Sequence, residues 1–347
     1  MTVFTPQTLL PYSPRLPLPG AVQRLILNSN IRSIIAQTEN IFHRLHPRAE
    51  RPAIVWGTIF HHAGFLRDMP ADHRLAIIDD NFPVSPVFNP GQRQTVARLE
   101  AELIERADYI FTTSRTLLEE KRRINPHSIL MENGVPRAFL PENRHLLEPF
   151  TARCRQQEHD VLRRVRGLPR PRIGYVGAVN IRLNMPVMQA LTRLPGNHQI
   201  CLVGHVDDSF PRPIYTAFRA CSNIHFFPFV SHALVPSLLD EFDILLLPFE
   251  LTEFSRFINP LKFGEYLSSG KPILSTRLPE VIRILANRRG LVYMIEQAGQ
   301  FEPLVKEALE EDSEESRRER IALARSRTWE ETTREMRDLI EGLLQGH

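Results

Sequence analysis

The chain has 347 residues, 42% of them hydrophobic and 24% charged, the make-up of a soluble globular protein long enough for two cores. A net charge of +3 is too small to signal a nucleic-acid partner, and no run of 18 apolar residues exists to span a membrane. Cys154, Cys201 and Cys221 are odd in number, lack metal spacing, and read as reduced thiols of a cytoplasmic protein.

The first twenty residues hold five prolines and no basic–apolar–small pattern, which argues against a secretory signal. Val22–Leu45 then carries apolar residues at helical spacing and predicts an amphipathic helix. A complete doubly wound domain usually opens on an apolar strand and a glycine-rich turn, so one or two leading βα units are expected to be missing or shrunken. Short apolar runs follow at Ala53–Trp56, Arg74–Ile78, Tyr109–Thr112 and Ser128–Met131, with helical stretches between them. Parallel strands need such crossover segments, and this alternation predicts α/β architecture. Asn133-Gly134-Val135-Pro136 punctuates the chain and marks a boundary.

A second series of runs lies at Arg172–Val176, His198–Val203, Ile224–Phe227, Ile244–Pro248, Pro272–Ser275 and Gly290–Tyr293. The expected organisation is an N-terminal Rossmann-like domain over 1–136, an arginine-rich linker over 137–169 with a helix at Arg155–Arg166, and a second Rossmann-like domain over 170–312. A charged helical pattern at Glu314–Leu344, with Ile321, Ala324, Trp329, Met336, Ile340 and Leu343 at helical spacing, makes 313–347 a terminal helix expected to pack back toward the first domain.

Three familiar motifs are absent or incomplete. No Gly-x-Gly-x-x-Gly follows a strand, which argues against a dinucleotide-binding dehydrogenase. Gly264–Lys271 has its glycines too far apart for a phosphate loop, and Pro272 follows the lysine. His61-His62 has no second cluster at metal spacing, so no metal is expected.

The informative stretch runs from Leu245 to Thr276 and reads as strand, polar loop, helix, glycine stop at Gly270, then strand. Pro260 suits the first turn of the helix and Asn259 its N-cap. A helix start aims free N–H groups and a positive dipole end at its surroundings, which suits a diphosphate. Lys262 adds a full charge there, and Glu265 lies a turn further on, where a carboxylate can accept from two ribose hydroxyls. The bland reading makes both of them solvated helix residues.

Here the sequence resembles the GT-B glycosyltransferases, in particular the group-1 or GT4-like enzymes of bacterial cell-surface polysaccharide synthesis and, among these, the teichuronic-acid type. The resemblance runs from about residue 50 to 345 and rests on four segments. Asn259-Pro-Leu-Lys-Phe-Gly-Glu-Tyr-Leu-Ser-Ser-Gly-Lys-Pro-Ile-Leu-Ser-Thr276 is similar to the donor-binding stretch. Ile173-Gly-Tyr-Val-Gly-Ala-Val-Asn-Ile-Arg-Leu-Asn184 resembles the first strand and loop of the donor domain. Asn133-Gly134-Val135 matches the hinge, and Ala107-Asp-Tyr-Ile-Phe-Thr-Thr-Ser114 the last βα entry of the acceptor domain.

That resemblance implies two Rossmann-like domains facing across a cleft, 170–312 being the donor domain. It makes Glu265 the second glutamate of a Glu-x7-Glu motif and a ribose ligand, and gives Lys262 and Arg182 to the diphosphate. Gly177 permits close backbone approach, while Arg256 and Asn259 belong to the donor loop. The first motif glutamate falls on Phe257 and is missing.

Toward the N-terminus, Asp79-Asp80 ends a strand, where an aspartate can serve as general base toward an acceptor hydroxyl or simply cap a turn. His61 and His62 follow another strand and join the acceptor side. Seven arginines against three acids over residues 1 to 70, among them Arg15, Arg24, Arg32, Arg44, Arg48 and Arg51, give the first helix two readings. Its stripe packs as core, or its basic apolar face rests on the inner face of the membrane beside a lipid-linked acceptor.

The expected function is metal-independent transfer of a sugar from a nucleoside diphosphate sugar, a substrate and not a cofactor, to a saccharide or lipid-linked acceptor. Lys262, Arg182, Asp79 and Asp80 are the candidate catalytic residues. The alternatives are an inactive nucleotide-binding scaffold of the same fold or a sugar-nucleotide epimerase.

Overall fold

The computed structural model describes residues 20–285, 288 and 290–345; Arg15 and the proline-rich start lie outside them. The chain forms two compact units, one from 20–132 with 333–345 and the other from 133–332.

The first unit carries four parallel strands in the order β1 (Ile54–Gly57), β2 (His73–Ile78), β3 (Tyr109–Thr112) and β4 (Ser128–Leu130). Leu75, Phe111 and Met131 form a buried patch, with Trp56 stacked on Phe111 at 5.6 Å. The helix Arg334–Gln345 covers this patch with Met336, Leu339, Ile340 and Leu343, spaced so that all four fall on one helical face. A second cluster joins Leu27 and Ile31 of the Gly20–Leu45 helix to Phe60, Phe88, Val96 and Leu99. Part of the first helix's apolar stripe is therefore core, although Leu25 and Leu45 remain exposed. The helix Pro90–Arg106 starts from a reciprocal cap, Asn89 Oδ1 accepting from the Gln92 N–H and Gln92 Oε1 from the Asn89 N–H. Beneath it Lys121 Nζ meets Glu100 Oε1 at 2.7 Å, both side chains almost fully buried.

The second unit holds β5 (Arg172–Val176), β6 (Gln199–Val203), β7 (Ile224–Phe227), β8 (Ile244–Leu247), β9 (Ile273–Thr276) and β10 (Val292–Ile295), all parallel. Their order is β10-β9-β8-β5-β6-β7. The chain thus builds outward from β5 on one side and returns beside it as β8. A crevice opens beyond the strand ends at such a reversal. Ile244, Leu245, Leu246 and Leu247 are all fully buried, as a central strand covered on both faces requires.

Residues 137–169 fold onto this second unit. The helix Gln156–Arg166 inserts Val161 and Val165, and the short turns before it insert Phe139 and Leu140, into the unit's core. The terminal pattern, expected as one long helix, is three helices: Glu314–Arg325, Trp329–Thr332 and Arg334–Gln345. The interruption has a cause: Thr328 pairs with Val135 as a bridge, and Trp329 N–H donates to the Val135 carbonyl. Arg320 on the first of these helices is fully buried and donates to the carbonyls of Gly270, Gly290 and Leu291 and to Asp312.

Candidate functional site

At the end of β5 the chain turns at Gly177 with φ +147°, and at the end of β6 at Gly204 with φ +145°. Both are conformations that a side chain rarely permits. A Cβ on Gly204 would stand 2.2 Å from the Gly177 carbonyl oxygen, and one on Gly177 would stand 2.1 Å from Lys262 Cε. Bare backbone is therefore what lets the two loops and the lysine meet. The Gly177 loop is braced from below: Val176 N–H donates to Tyr266 Oη at 3.0 Å, and Tyr175 Oη donates to the Ala178 carbonyl at 2.9 Å.

Lys262 and Glu265 come from the helix Leu261–Ser269, which ends on Gly270 in the left-handed region at φ 72°. The helix begins one residue later than the sequence predicts. Pro260 keeps an extended ψ of 120° and is itself the N-cap, without a side-chain bond, so Asn259 does not cap it. The consequence for the site is small, because Lys262 still lies in the first turn.

Around these residues opens a cavity of about 440 Å³, lined by the Gly177 and Gly204 loops, His205, Phe229, Val230, His232, Lys262 and Glu265. That volume falls in the range of small-molecule sites. Burial lowers the Lys262 ammonium below its ordinary value; Glu265 opposes the shift and Arg182 adds to it. A cation held in a partly desolvated cavity favours an anionic occupant. Glu265 is 15% exposed, and His232 Nε2 lies 2.8 Å from its Oε1.

The structure thus brings Gly177, Lys262 and Glu265 to one cavity. Arg182 is near enough to affect Lys262, but its guanidinium rests over Phe254 and Phe249 at 5.3 and 5.7 Å, with Nε buried and unbonded. Arg256 is exposed on the short turn Ser255–Phe257 and lines none of the cavity. Asn259 is buried, its carbonyl accepting from Asn133 Nδ2 at 2.7 Å.

In the first unit, His61 and His62 line a different cavity of about 660 Å³, walled by Ile31, Ile34, Ile41 and Phe42 of the first helix and by Trp56. Burial lowers both imidazoles, with His62 adding to the effect on His61, which falls to about 4. Asp79 and Asp80 follow the neighbouring strand β2 and are not part of that lining. Asp79 is exposed at its surface, yet the packed protein beneath raises its carboxyl; N–H groups of Asp79 and Asp80 oppose the rise. The Asp79 carbonyl accepts from Thr113 Oγ1 at 2.6 Å.

Gly204, His205, Phe229 and His232 escaped the sequence reading. Gly204 had a signal, since Val203-Gly204 repeats Val176-Gly177 at the end of the next strand. His232 had none, because a loop histidine has no periodicity to betray it.

No protein-family model matches the chain. It is 21% identical over 200 residues to the "Putative teichuronic acid biosynthesis glycosyltransferase TuaH" of Bacillus subtilis (strain 168), covering 58% of this chain and 48% of that one. The chain therefore spans about half the length of the curated relative it matches. Among solved structures it is similar to Anabaena Alr3699/HepE in complex with UDP-glucose, with a TM-score of 0.66, 12% identity, and 89% and 82% of the two chains covered. It is also similar to WaaG, a glycosyltransferase involved in lipopolysaccharide biosynthesis, with a TM-score of 0.54, 17% identity, and 86% and 78% covered. The fold is that of the GT-B glycosyltransferases. Among the described residues no helix is long and apolar enough to cross a membrane.

Proposed function

We propose that the chain is a glycosyltransferase that binds a uridine diphosphate sugar in its 133–332 unit and passes the hexose to a saccharide or lipid-linked acceptor of cell-surface polysaccharide. The observation that carries this reading is the single cavity framed by Gly177, Gly204, Lys262 and Glu265. The likeness to a protein solved with UDP-glucose, and to named polysaccharide and lipopolysaccharide glycosyltransferases, supports it.

In this reading the ribose hydroxyls donate to Glu265 while the diphosphate lies against the bare backbone of the two glycine loops. Cleavage of the glycosidic bond builds negative charge on the diphosphate. Lys262 and the start of its helix stabilise that charge more in the transition state than before it. Arg182 supplies a second positive charge from its place on Phe249 and Phe254, and together the two cations supply the charge that a metal ion would otherwise bring. Asp79, with its raised carboxyl, or Asp80 takes the proton from the acceptor hydroxyl. The exposed Arg32, Arg44, Arg48 and Arg51 hold the cytoplasmic protein against an anionic membrane face.

Phe257, where a motif glutamate is missing, favours a second reading: a protein of this fold that binds nucleotide without turnover. One experiment tests both. UDP, GDP, ADP and CDP are compared by thermal shift, and consumption of UDP-hexoses is then followed for the parent, Lys262→Ala and Glu265→Ala. The transferase reading expects UDP to raise the melting temperature, Lys262→Ala to lower turnover as well as affinity, and Glu265→Ala to act mainly on affinity. Binding without consumption identifies the scaffold. If none of the nucleotides shifts the melting temperature, both readings fail.

A further inference from the structure

We propose that His232 is a positioning residue for the donor: it holds the Glu265 carboxylate in the orientation that receives the ribose hydroxyls, so selectivity for a ribose over a deoxyribose nucleotide depends on it. The inference rests on the nucleotide reading of this cavity and deepens it.

Glu265 stands on a helix, and its side chain has several rotatable bonds. A ribose diol presents two hydroxyl donors at fixed separation, so the carboxylate must offer both oxygens in a chosen plane to accept from both. His232 supplies the constraint. Its Nε2–H donates to Glu265 Oε1 at 2.8 Å, occupying one lone-pair direction and leaving Oε2 and the rest of Oε1 for the sugar. The contact raises the His232 imidazole above its ordinary value, while burial works against the rise.

The residue is itself held at two points, its ring and the backbone before it. Its ring lies against Phe139 with centroids 4.6 Å apart and planes inclined by 38°, which fixes its rotation. The residue before it is anchored, because Ser231 N–H donates to the buried Glu158 at 2.5 Å. Glu158 stands on the helix Gln156–Arg166, whose Val161 and Val165 are core residues. A line of fixed contacts thus runs from the core through Glu158, Ser231 and His232 to Glu265. The same loop presents Phe229 and Val230 to the cavity, so His232 sits within the site it orders. Orientation fixed before binding spares the complex the cost of ordering a free side chain.

The opposite geometry is also conceivable chemically: a histidine that competes with the ribose for the carboxylate. The test separates the two. UDP and 2′-deoxy-UDP are titrated by calorimetry into the parent, His232→Phe, His232→Gln and Glu265→Ala, and melting curves confirm that each variant is folded. His232→Phe keeps a ring for Phe139 and loses the donor; His232→Gln keeps an N–H donor. The parent is expected to prefer UDP over 2′-deoxy-UDP, and Glu265→Ala to abolish the preference. His232→Phe should weaken UDP binding by about tenfold, the scale of one lost or misdirected hydrogen bond to a charged group. It should weaken 2′-deoxy-UDP less, because that nucleotide keeps only its 3′-hydroxyl for Glu265, and His232→Gln should restore much of the preference. Turnover at saturating donor should change far less than KM.

If His232→Phe binds UDP as tightly as the parent or more tightly, or weakens both nucleotides equally, the positioning role is overturned while the Glu265 result leaves the nucleotide site standing. If the parent does not distinguish the two nucleotides, or Glu265→Ala leaves the preference intact, the ribose role of Glu265 fails and takes this inference with it.

Discussion

Gly57 and Gly177 both sit at the end of a first parallel strand, one in each unit, yet they do different work. A Cβ on Gly57 would meet Leu66 Cδ1 at 2.7 Å and Leu103 Cδ1 at 2.9 Å, both apolar side chains of the unit's own interior. A Cβ on Gly177 would meet the Lys262 stem, in a loop that also touches Gly204 and opens on the cavity that Lys262, Glu265 and His232 line. Gly57 is not among the glycines of positive φ, and among the described residues the four that are, Gly177, Gly204, Gly270 and Gly290, belong to the second unit. A glycine at a strand end is therefore no sign of a ligand loop by itself. What distinguishes the site is the left-handed backbone together with a second loop and a cation packed against it.

The sharpest way to break that comparison is to add the missing Cβ in each unit. Gly204→Ala must strain a backbone at φ +145° and push a methyl into the Gly177 carbonyl, which cannot swing aside. Strain of about 1–3 kcal/mol plus overpacking of similar size predicts a loss of about 2–6 kcal/mol in urea unfolding. Gly57→Ala should cost about 1–3 kcal/mol, because leucine side chains can repack. Equal losses would mean that the two strand ends are mechanically alike.

A comparable loss is expected where the first unit keeps its buried charge. Lys121→Met leaves the Glu100 carboxylate without its partner in an almost fully buried place and should cost about 3–5 kcal/mol. Adding Glu100→Gln should recover part of this. A cost below about 1 kcal/mol, too little for a broken buried pair, would show that water reaches the pair and that this unit is more open than its packing indicates.

The two units should also differ in the sign of their histidine titrations. Burial holds His61 at about 4 and His62 below 6.5. Their unfolded forms bind protons that the folded unit refuses, so stability is fully present above 6.5 and falls as pH drops toward 4. For His61 this amounts to up to about 3 kcal/mol. His232 is raised by Glu265, so its contribution is present below 6.5 and is lost as pH rises through its folded value. That contribution is small because the side chain is 60% exposed. Imidazole resonances followed by NMR should place His61 and His62 below 6.5 and His232 above it; a His61 midpoint near 6.5 would contradict its burial.

The last effect is read at the ligand and not in folding. Lys262→Ala should cost about 1.5–3 kcal/mol of nucleoside diphosphate affinity, one charge-assisted contact, with little effect on folding because its burial already disfavours the charged form. A loss of folding stability as large as the loss of affinity would make Lys262 a packing residue.

Much of this architecture was legible in advance. The runs at Tyr109–Thr112, Arg172–Val176 and Ile224–Phe227 became strands with unchanged bounds, because short, mostly apolar runs between helical stretches announce themselves. Gly270 ends its helix where the sequence put the stop. The Glu314–Leu344 pattern misled, since its helical spacing continues across residues whose backbone pairs with Val135. Arg182 was given to a diphosphate from its motif, and nothing local revealed that Phe249 and Phe254 would hold its guanidinium.

By itself the sequence determined the strands and the three-residue step from Lys262 to Glu265 that sets both on one helical face. These follow from local periodicity and backbone preference, which act over a few neighbouring residues. Only the tertiary structure decided that Gly204 would lie against Gly177, that Gly57 would serve packing instead, and that His232 would reach Glu265. His232 and Glu265 are 33 residues apart, and Ser231 and Glu158 are 73 apart. A side chain's role across such separations is set by what the fold brings beside it, and no short stretch of sequence contains that information.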